Sequence, residues 1–212
     1  MFKKIILAAL VVTSAVFAQF NVNVGGRAAA NFGTFVGDLK DPGWGLGFNA
    51  GVAAKLDVLP IMSVVAGVEA DLRRVSNEKT EEYRGVKASG EAAYTMWYLD
   101  IPVVARFNVV PMFHFDAGFV LGFNLAANYR AEASVEGIKI VDIDESISEN
   151  VNTFDAALTA GFGASVIPGM LDIDFRFVYS LTSFAKNDKA EGDDDESARH
   201  MRMQLGATFW FM

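Results

Sequence analysis

Between Trp44 and Val58 every second residue is apolar: Trp44, Leu46, Phe48, Ala50, Val52, Ala54, Leu56 and Val58. The residues between them are Gly45, Gly47, Asn49, Gly51, Ala53, Lys55 and Asp57. Successive side chains of an extended chain point to opposite faces, so the segment predicts one long strand with one apolar and one mixed face. Seven other segments repeat the pattern. Residues 21–34 set Val22, Val24, Ala28, Ala30 and Phe32 against Asn21, Asn23, Arg27 and Asn31. Residues 63–74 set Val64, Ala66, Val68, Ala70 and Leu72 against Ser63, Glu69, Asp71 and Arg73. Residues 94–109 set Trp97, Leu99, Ile101, Val103, Phe107 and Val109 against Tyr98, Asp100, Arg106 and Asn108. Residues 113–130 set Phe113, Phe115, Phe119, Leu121, Phe123 and Leu125 against His114, Asp116, Asn124 and Asn128. Residues 154–166, 171–182 and 200–212 do the same, with Phe154, Leu158 and Phe162, then Ile173, Phe175 and Phe177, then Met203, Leu205 and Phe209 on the apolar side. Each of these eight segments reaches or exceeds the roughly 9–11 residues that a tilted strand needs to cross a bilayer.

The connections alternate in length. Three are tight and carry proline: Leu59-Pro60-Ile61-Met62, Val110-Pro111-Met112 and Ile167-Pro168-Gly169-Met170. The other four, roughly 35–43, 75–93, 131–153 and 183–199, are long and polar. Short and long connections in alternation, with an even strand count, predict an all-β, antiparallel up-and-down barrel with short turns at one rim and long loops at the other. Within the third loop, Val135 to Ile143 partly alternates, which predicts a hairpin extending above the barrel.

Alternation alone does not say which face is outside; a soluble ligand-binding barrel alternates too. Three features favour an apolar exterior. The mixed face is rich in glycine (Gly45, Gly47, Gly51, Gly118, Gly122, Gly161, Gly163 and Gly206), as the crowded interior of an eight-stranded barrel requires. It carries both charge signs on every side: Arg27, Lys55, Arg73, Arg106, Arg176 and Arg202 can meet Asp57, Glu69, Asp71, Asp100, Asp116, Asp155, Asp172 and Asp174. The apolar face places large aromatics near the strand ends, with Trp44, Trp97, Tyr129, Phe154 and Tyr179 toward the long-loop rim and Phe107, Phe113, Phe115, Phe209 and Phe211 toward the other. Two such bands suit the two interfaces of a membrane. Pro102 lies inside a predicted strand, where it cannot donate to the ladder, and a local bulge is expected there.

Composition narrows the class. Of 212 residues, 52% are hydrophobic, yet no stretch of 18 consecutive apolar residues predicts a transmembrane helix. Residues 1–18 have the layout of a secretory signal peptide: basic Lys3 and Lys4, a mostly apolar run from Ile5 to Phe17, and small residues before Gln19. The expected division is therefore a signal peptide at 1–18 and one barrel domain at 19–212. Without the leader, 16 basic and 26 acidic side chains remain, a formal charge of −10, which speaks against nucleic acid as a partner. The chain has no cysteine, so disulfides, thiolate metal sites and cysteine nucleophiles are excluded.

Candidate chemistry is sparse. The two histidines, His114 near the short-turn rim and His200 just before the last strand at the long-loop rim, are expected about a membrane thickness apart and cannot share a metal. His200 with Ser183 or Ser197 is the one pairing that could form a rim-sited nucleophile. Asp193-Asp194-Asp195-Glu196 offers hard oxygen ligands for calcium or magnesium but lacks a binding-loop glycine and spacing; it reads more simply as a solvated acidic loop. Gly25-Gly26 and Gly161-Phe162-Gly163 lie inside strands with no helix following, so barrel packing explains them better than phosphate binding. No catalytic, cofactor or metal site is assigned.

Tyr98-Leu99-Asp100-Ile101-Pro102-Val103-Val104-Ala105-Arg106 resembles the signature of PorT-like outer-membrane β-barrel proteins, to which that proline belongs. Thr208-Phe209-Trp210-Phe211-Met212 is similar to the aromatic C-terminal signal read by the barrel-assembly machinery, although Met212 follows the last aromatic. The resemblance implies a bacterial outer-membrane barrel without catalytic residues. The expected function is a structural or surface-interaction role without enzymatic activity, in contact with outer-membrane lipids and lipopolysaccharide, any surface ligand being met by the long loops. The alternatives are a small-barrel transporter of a hydrophobic molecule, for which Met96, Val104, Val120 and Val178 are the apolar lumen candidates, a rim-sited lipid A-modifying enzyme, and a soluble secreted barrel.

Overall fold

A computed structural model describes residues 21–37, 43–83, 86–110, 112–135, 138–186 and 198–211. The expected signal peptide, Pro111, Ser197 and the acidic run Asp193–Glu196 lie outside the described residues. Among the described residues nine strands form one antiparallel sheet: β1 (Val22–Gly37), β2 (Trp44–Leu59), β3 (Met62–Tyr83), β4 (Val86–Val110), β5 (Phe113–Val135), β6 (Ile138–Ser146), β7 (Phe154–Ile167), β8 (Leu171–Ser180) and β9 (Ala198–Phe211). Eight of them close a ring. Each pairs with its neighbour in sequence, β5 pairs with β7 across the β6 excursion, and β1 pairs with β9 from Val24↔Phe211 to Gly37↔Ala198. The architecture is the expected eight-stranded up-and-down barrel. His200 belongs to β9 rather than preceding the last strand.

The two short turns that lie wholly within the described residues are as tight as the sequence implies. At Ile167–Met170 the amide of Met170 donates to the carbonyl of Ile167 at 2.9 Å, with Pro168 and Gly169 between them and Gly169 at φ +75°. Proline followed by glycine in the left-handed region fits the two central positions of a type II turn. The long connections differ from expectation. Segment 75–93 is mostly strand, because the β3–β4 ladder continues to Tyr83↔Val86. Segment 131–153 carries the end of β5 and all of β6, joined from Asn128↔Ser146 to Val135↔Ile138. Residues 35–37 finish β1. Above the barrel both sheet faces meet water, so the alternation used to find strands fades while backbone pairing goes on.

Two local expectations also change. Pro102 makes no bulge. It pairs with Val120 on β5, and on the β3 side the register is the same on either side of it, from Ala66↔Val103 to Glu69↔Asp100. Its ring faces the lumen beside Gly67, where the missing amide hydrogen interrupts the β3 ladder without displacing it. The bulge falls at Leu125 instead: Tyr98 pairs with Asn124 and Trp97 with Ala126. One extra residue reverses the faces of all that follows. Asn128, expected inside, is exposed, and Tyr129, expected in the outer aromatic band, turns inward with its ring 5.0 Å from that of Tyr94. The bulge also marks a fork, since β5 pairs with β7 up to Phe123 and with β6 from Asn128.

Candidate functional site: the filled lumen and the protruding sheet

The apolar face is the outside. Phe48, Phe115, Leu158, Phe162, Ile173 and Leu205 are exposed, whereas Arg106 and Asp174 are only 2% and 1% accessible. Such a surface suits lipid tails, and the buried charges need partners in return. They find them around the ring. Arg27 reaches Glu69 at 3.1 Å and Asp174 at 2.8 Å; Arg176 bridges Asp174 at 3.0 Å and Asp116 at 3.3 Å; Arg106 holds Asp116 at 2.9 Å and Asp172 at 2.6 Å. Nearer the outer rim, Arg73 binds Asp71 and Asp100 at 2.8 Å and Asp155 at 2.7 Å, and Arg202 shares Asp100 at 2.7 Å. Neutral donors complete the carboxylates: Asn31 donates to Asp71, Ser180 and Thr182 to Asp155, and Ser165 and the Trp210 indole to Asp172. Lys55 and Asp57, expected in this lattice, sit at its short-turn edge, Lys55 lying 5.0 Å above the Trp210 ring.

Glycine makes room for the lattice. A Cβ on Gly206 would lie 2.7 Å from Nη2 of Arg27, and one on Gly122 would lie 2.9 Å from Oδ1 of Asp100. Voids between lumen side chains, one bounded by Glu69, Asp100, Thr159 and Arg202 and another by Arg73, Met96, Thr182 and His200, measure about 10 Å³ each, room for one water. Both ends are closed by apolar clusters. Ala53, Val65, Val104 and Trp210 pack at the short-turn end. Phe35, Val75, Met96, Tyr98, Ala127, Val151 and Ala198 cap the outer end, with Tyr94, Ile147 and Phe184 against them. Met96, Val104, Val120 and Val178 are all buried as expected. Phe35 and Val151 were not foreseen. Phe35 could have been, since it shares the parity of Arg27 and Asn31, but Val151 lies in no strand.

His114 and His200 are both buried, at opposite ends of the barrel. His200 packs edge-on to Phe35, centroids 5.5 Å apart, and no described protein group bonds either ring nitrogen. Ser183 borders the same small void, but its hydroxyl donates to the carbonyl of Ala198 at 3.5 Å. The two residues are neighbours without a hydrogen bond between them.

Above the membrane, the upper parts of β3, β4, β5 and β6 continue as a four-stranded sheet in that order. Its two faces differ. Ala92, Ala131 and Ile143 lie opposite one another, as do Ala133 and Val141, and these rows share the inward face of Tyr94 and Tyr129. The outward face carries Arg74, Glu91, Arg130, Glu132, Asp142 and Asp144 in the column above Trp97. There Glu132 opposes both Glu91 and Asp142, an unfavourable row of like charges. Lys139 offsets it with Nζ 2.8 Å from Glu132, and Arg130 lies 2.5 Å from the same carboxylate. These cations hold the Glu132 carboxyl below its usual range, the Lys139 hydrogen bond contributing most.

A closed ring with a lipid-facing apolar wall, an ion-paired interior and capped ends defines a small transmembrane β-barrel. The chain belongs to the outer membrane protein beta-barrel domain family, whose model matches residues 17–186. No curated protein matches it. Among solved structures it is similar to Ail, the attachment invasion locus protein of Yersinia pestis, at 15% identity and TM-score 0.45 over 90% of this chain and 99% of that one. It is likewise similar to Neisserial surface protein A, at 14% identity and TM-score 0.42 over 90% and 99%. CarO of Acinetobacter baumannii matches at 11% identity and TM-score 0.45 over 89% and 98%.

Proposed function

We propose that this protein is a non-conducting, non-enzymatic surface-interaction protein, held in the outer membrane by the barrel and meeting its partner through the protruding sheet. The observation that carries this reading is the contrast between the two halves of the molecule. Among the described residues the lumen voids are water-sized and apolar side chains pack at its outer end, which favours a lumen closed to solute. The sheet above it presents two chemically distinct faces and an unshared strand edge. In this reading lipids and lipopolysaccharide surround the wall, the barrel-assembly machinery inserts the chain after a leader at 1–18 is removed, and the stretch from Tyr98 to Arg106 aligns it with PorT-like proteins.

The test pairs conductance with crosslinking. Protein refolded into a planar bilayer should show no porin-sized steps. In cells, a photo-crosslinking residue at Ile143 should give discrete protein adducts, while one at lipid-facing Phe119 should give none. Stable open-channel conductance, or crosslinking at Phe119 but not at Ile143, contradicts the proposal.

A further inference from the structure

We infer that β6 is a docking edge for an extended protein segment that alternates basic and apolar residues, added as a further strand of the protruding sheet. The inference rests on the surface-interaction reading and names the partner's chemistry. Within the described sheet, β6 pairs on one side only, with β5. Its other edge offers backbone donors and acceptors to an incoming strand. Proteins commonly blunt such edges with proline, lysine, bulges or short length; on β6 the lysine, Lys139, and the register shift at Ile140 lie at its start, and from Val141 to Ser146 the strand carries no proline, with Val141 and Ile143 exposed.

The register sets the pattern. Val141 and Ile143 end the apolar rows that begin at Ala133 and Ala131, whereas Asp142 and Asp144 end the charged rows of Glu132 and Arg130. A strand laid beside β6 continues these rows, so its residues facing Val141 and Ile143 should be apolar and those facing Asp142 and Asp144 basic. From Lys139 to Ser146 one lysine stands against three carboxylates, Asp142, Asp144 and Glu145. That excess also argues against a second copy of this chain. In an antiparallel β6–β6 pairing centred on Asp142, Ile143 or Asp144, an aspartate stands opposite an aspartate, with like charges in direct apposition.

The test uses the full-length protein refolded into lipid vesicles and two fluorescent nine-residue probes, one alternating lysine and valine, the other glutamate and valine. Anisotropy should show the lysine–valine probe binding and the glutamate–valine probe not. Asp142→Lys combined with Asp144→Lys, both exposed and outside the barrel, should weaken the first probe about tenfold and admit the second. A lysine–valine probe methylated on alternate backbone nitrogens should lose about tenfold as well, because strand addition needs its amides. Equal binding of the methylated probe overturns strand addition in favour of plain charge attraction, and no exchange of preference in the double variant overturns the assignment of a basic partner to Asp142 and Asp144. Failure of every probe while the Ile143 crosslinks persist overturns this inference and leaves the surface-interaction reading standing.

Discussion

Arg73 shows how single residues hold the interior together. Its guanidinium binds three carboxylates from β3, β4 and β7 and stacks 3.7 Å from the centroid of Tyr98. Removing one member of a buried ionic cluster strands the others in a dry site, at a cost of roughly 3–5 kcal/mol. Arg73→Leu should therefore destabilise the barrel by about that much in urea unfolding from lipid vesicles. Arg74→Ala, next along the chain but half-exposed on the outer face, should change stability by under about 1 kcal/mol. Equal losses would contradict the lattice. Close approach gives a second contrast. A Cβ on Gly51 would lie 2.0 Å from the Val68 carbonyl oxygen, whereas on Gly90 the nearest atom is 3.9 Å away. Gly51→Ala should slow or block refolding, followed by the heat-dependent gel shift of the folded barrel, while Gly90→Ala should refold like the parent. At this scale the sequence was nearly transparent, because both charge signs and glycine on one strand face have few explanations other than a crowded, enclosed interior. Individual pairings, such as Arg27 with Asp174, were not legible; they depend on how far the register shifts around the ring.

Among elements, the β5–β6 hairpin carries a pH dependence of its own. Glu132 is held below its usual 4.5 by Lys139 first and by Arg130, and Lys139 is raised above 10.5 chiefly by its hydrogen bond to Glu132. A depressed carboxyl stabilises the hairpin at pH above its ordinary value, and that contribution fades as pH falls through the folded value. A raised lysine contributes below its ordinary value and loses that contribution as pH rises through the folded one. The hairpin pairing should thus hold across neutral pH and loosen in acid. In an NMR titration, Lys139→Ala should move the Glu132 midpoint up toward 4.5; an unchanged midpoint would show that the pair does not act in solution. This element was only half visible in the sequence. Val135 to Ile143 hinted at a hairpin, but the bulge at Leu125 that turns Tyr129 inward leaves no mark in a two-residue period, since Asn128 and Tyr129 each suit either face. The extension of β3 and β4 was hidden for a related reason: with water on both faces, polar side chains no longer separate strand from loop.

For the whole molecule, one inversion organises the rest. The apolar faces of eight strands turn outward, and the ion-paired faces fill the centre, which is why the proposed function makes the barrel the anchor and gives the partner to the sheet above it. The strand count and the alternation of turn lengths were readable from period-two patterning, because the bilayer imposes that pattern on every strand that crosses it; the direction of the faces was readable only from the glycine, the mixed charges and the aromatic bands laid over that pattern. The most direct test is a nitroxide scan of residues 44–58, the length of β2 in which the pattern is cleanest; the chain has no native cysteine to confuse the labelling. In lipid vesicles the even positions from Leu46 to Ala54 should collide freely with oxygen and be shielded from a water-soluble nickel complex, while Asn49 and Ala53, the odd positions that already carry a side chain, should be shielded from both. Oxygen exposure at the odd positions with shielding at the even ones would place the apolar face inside and contradict the account.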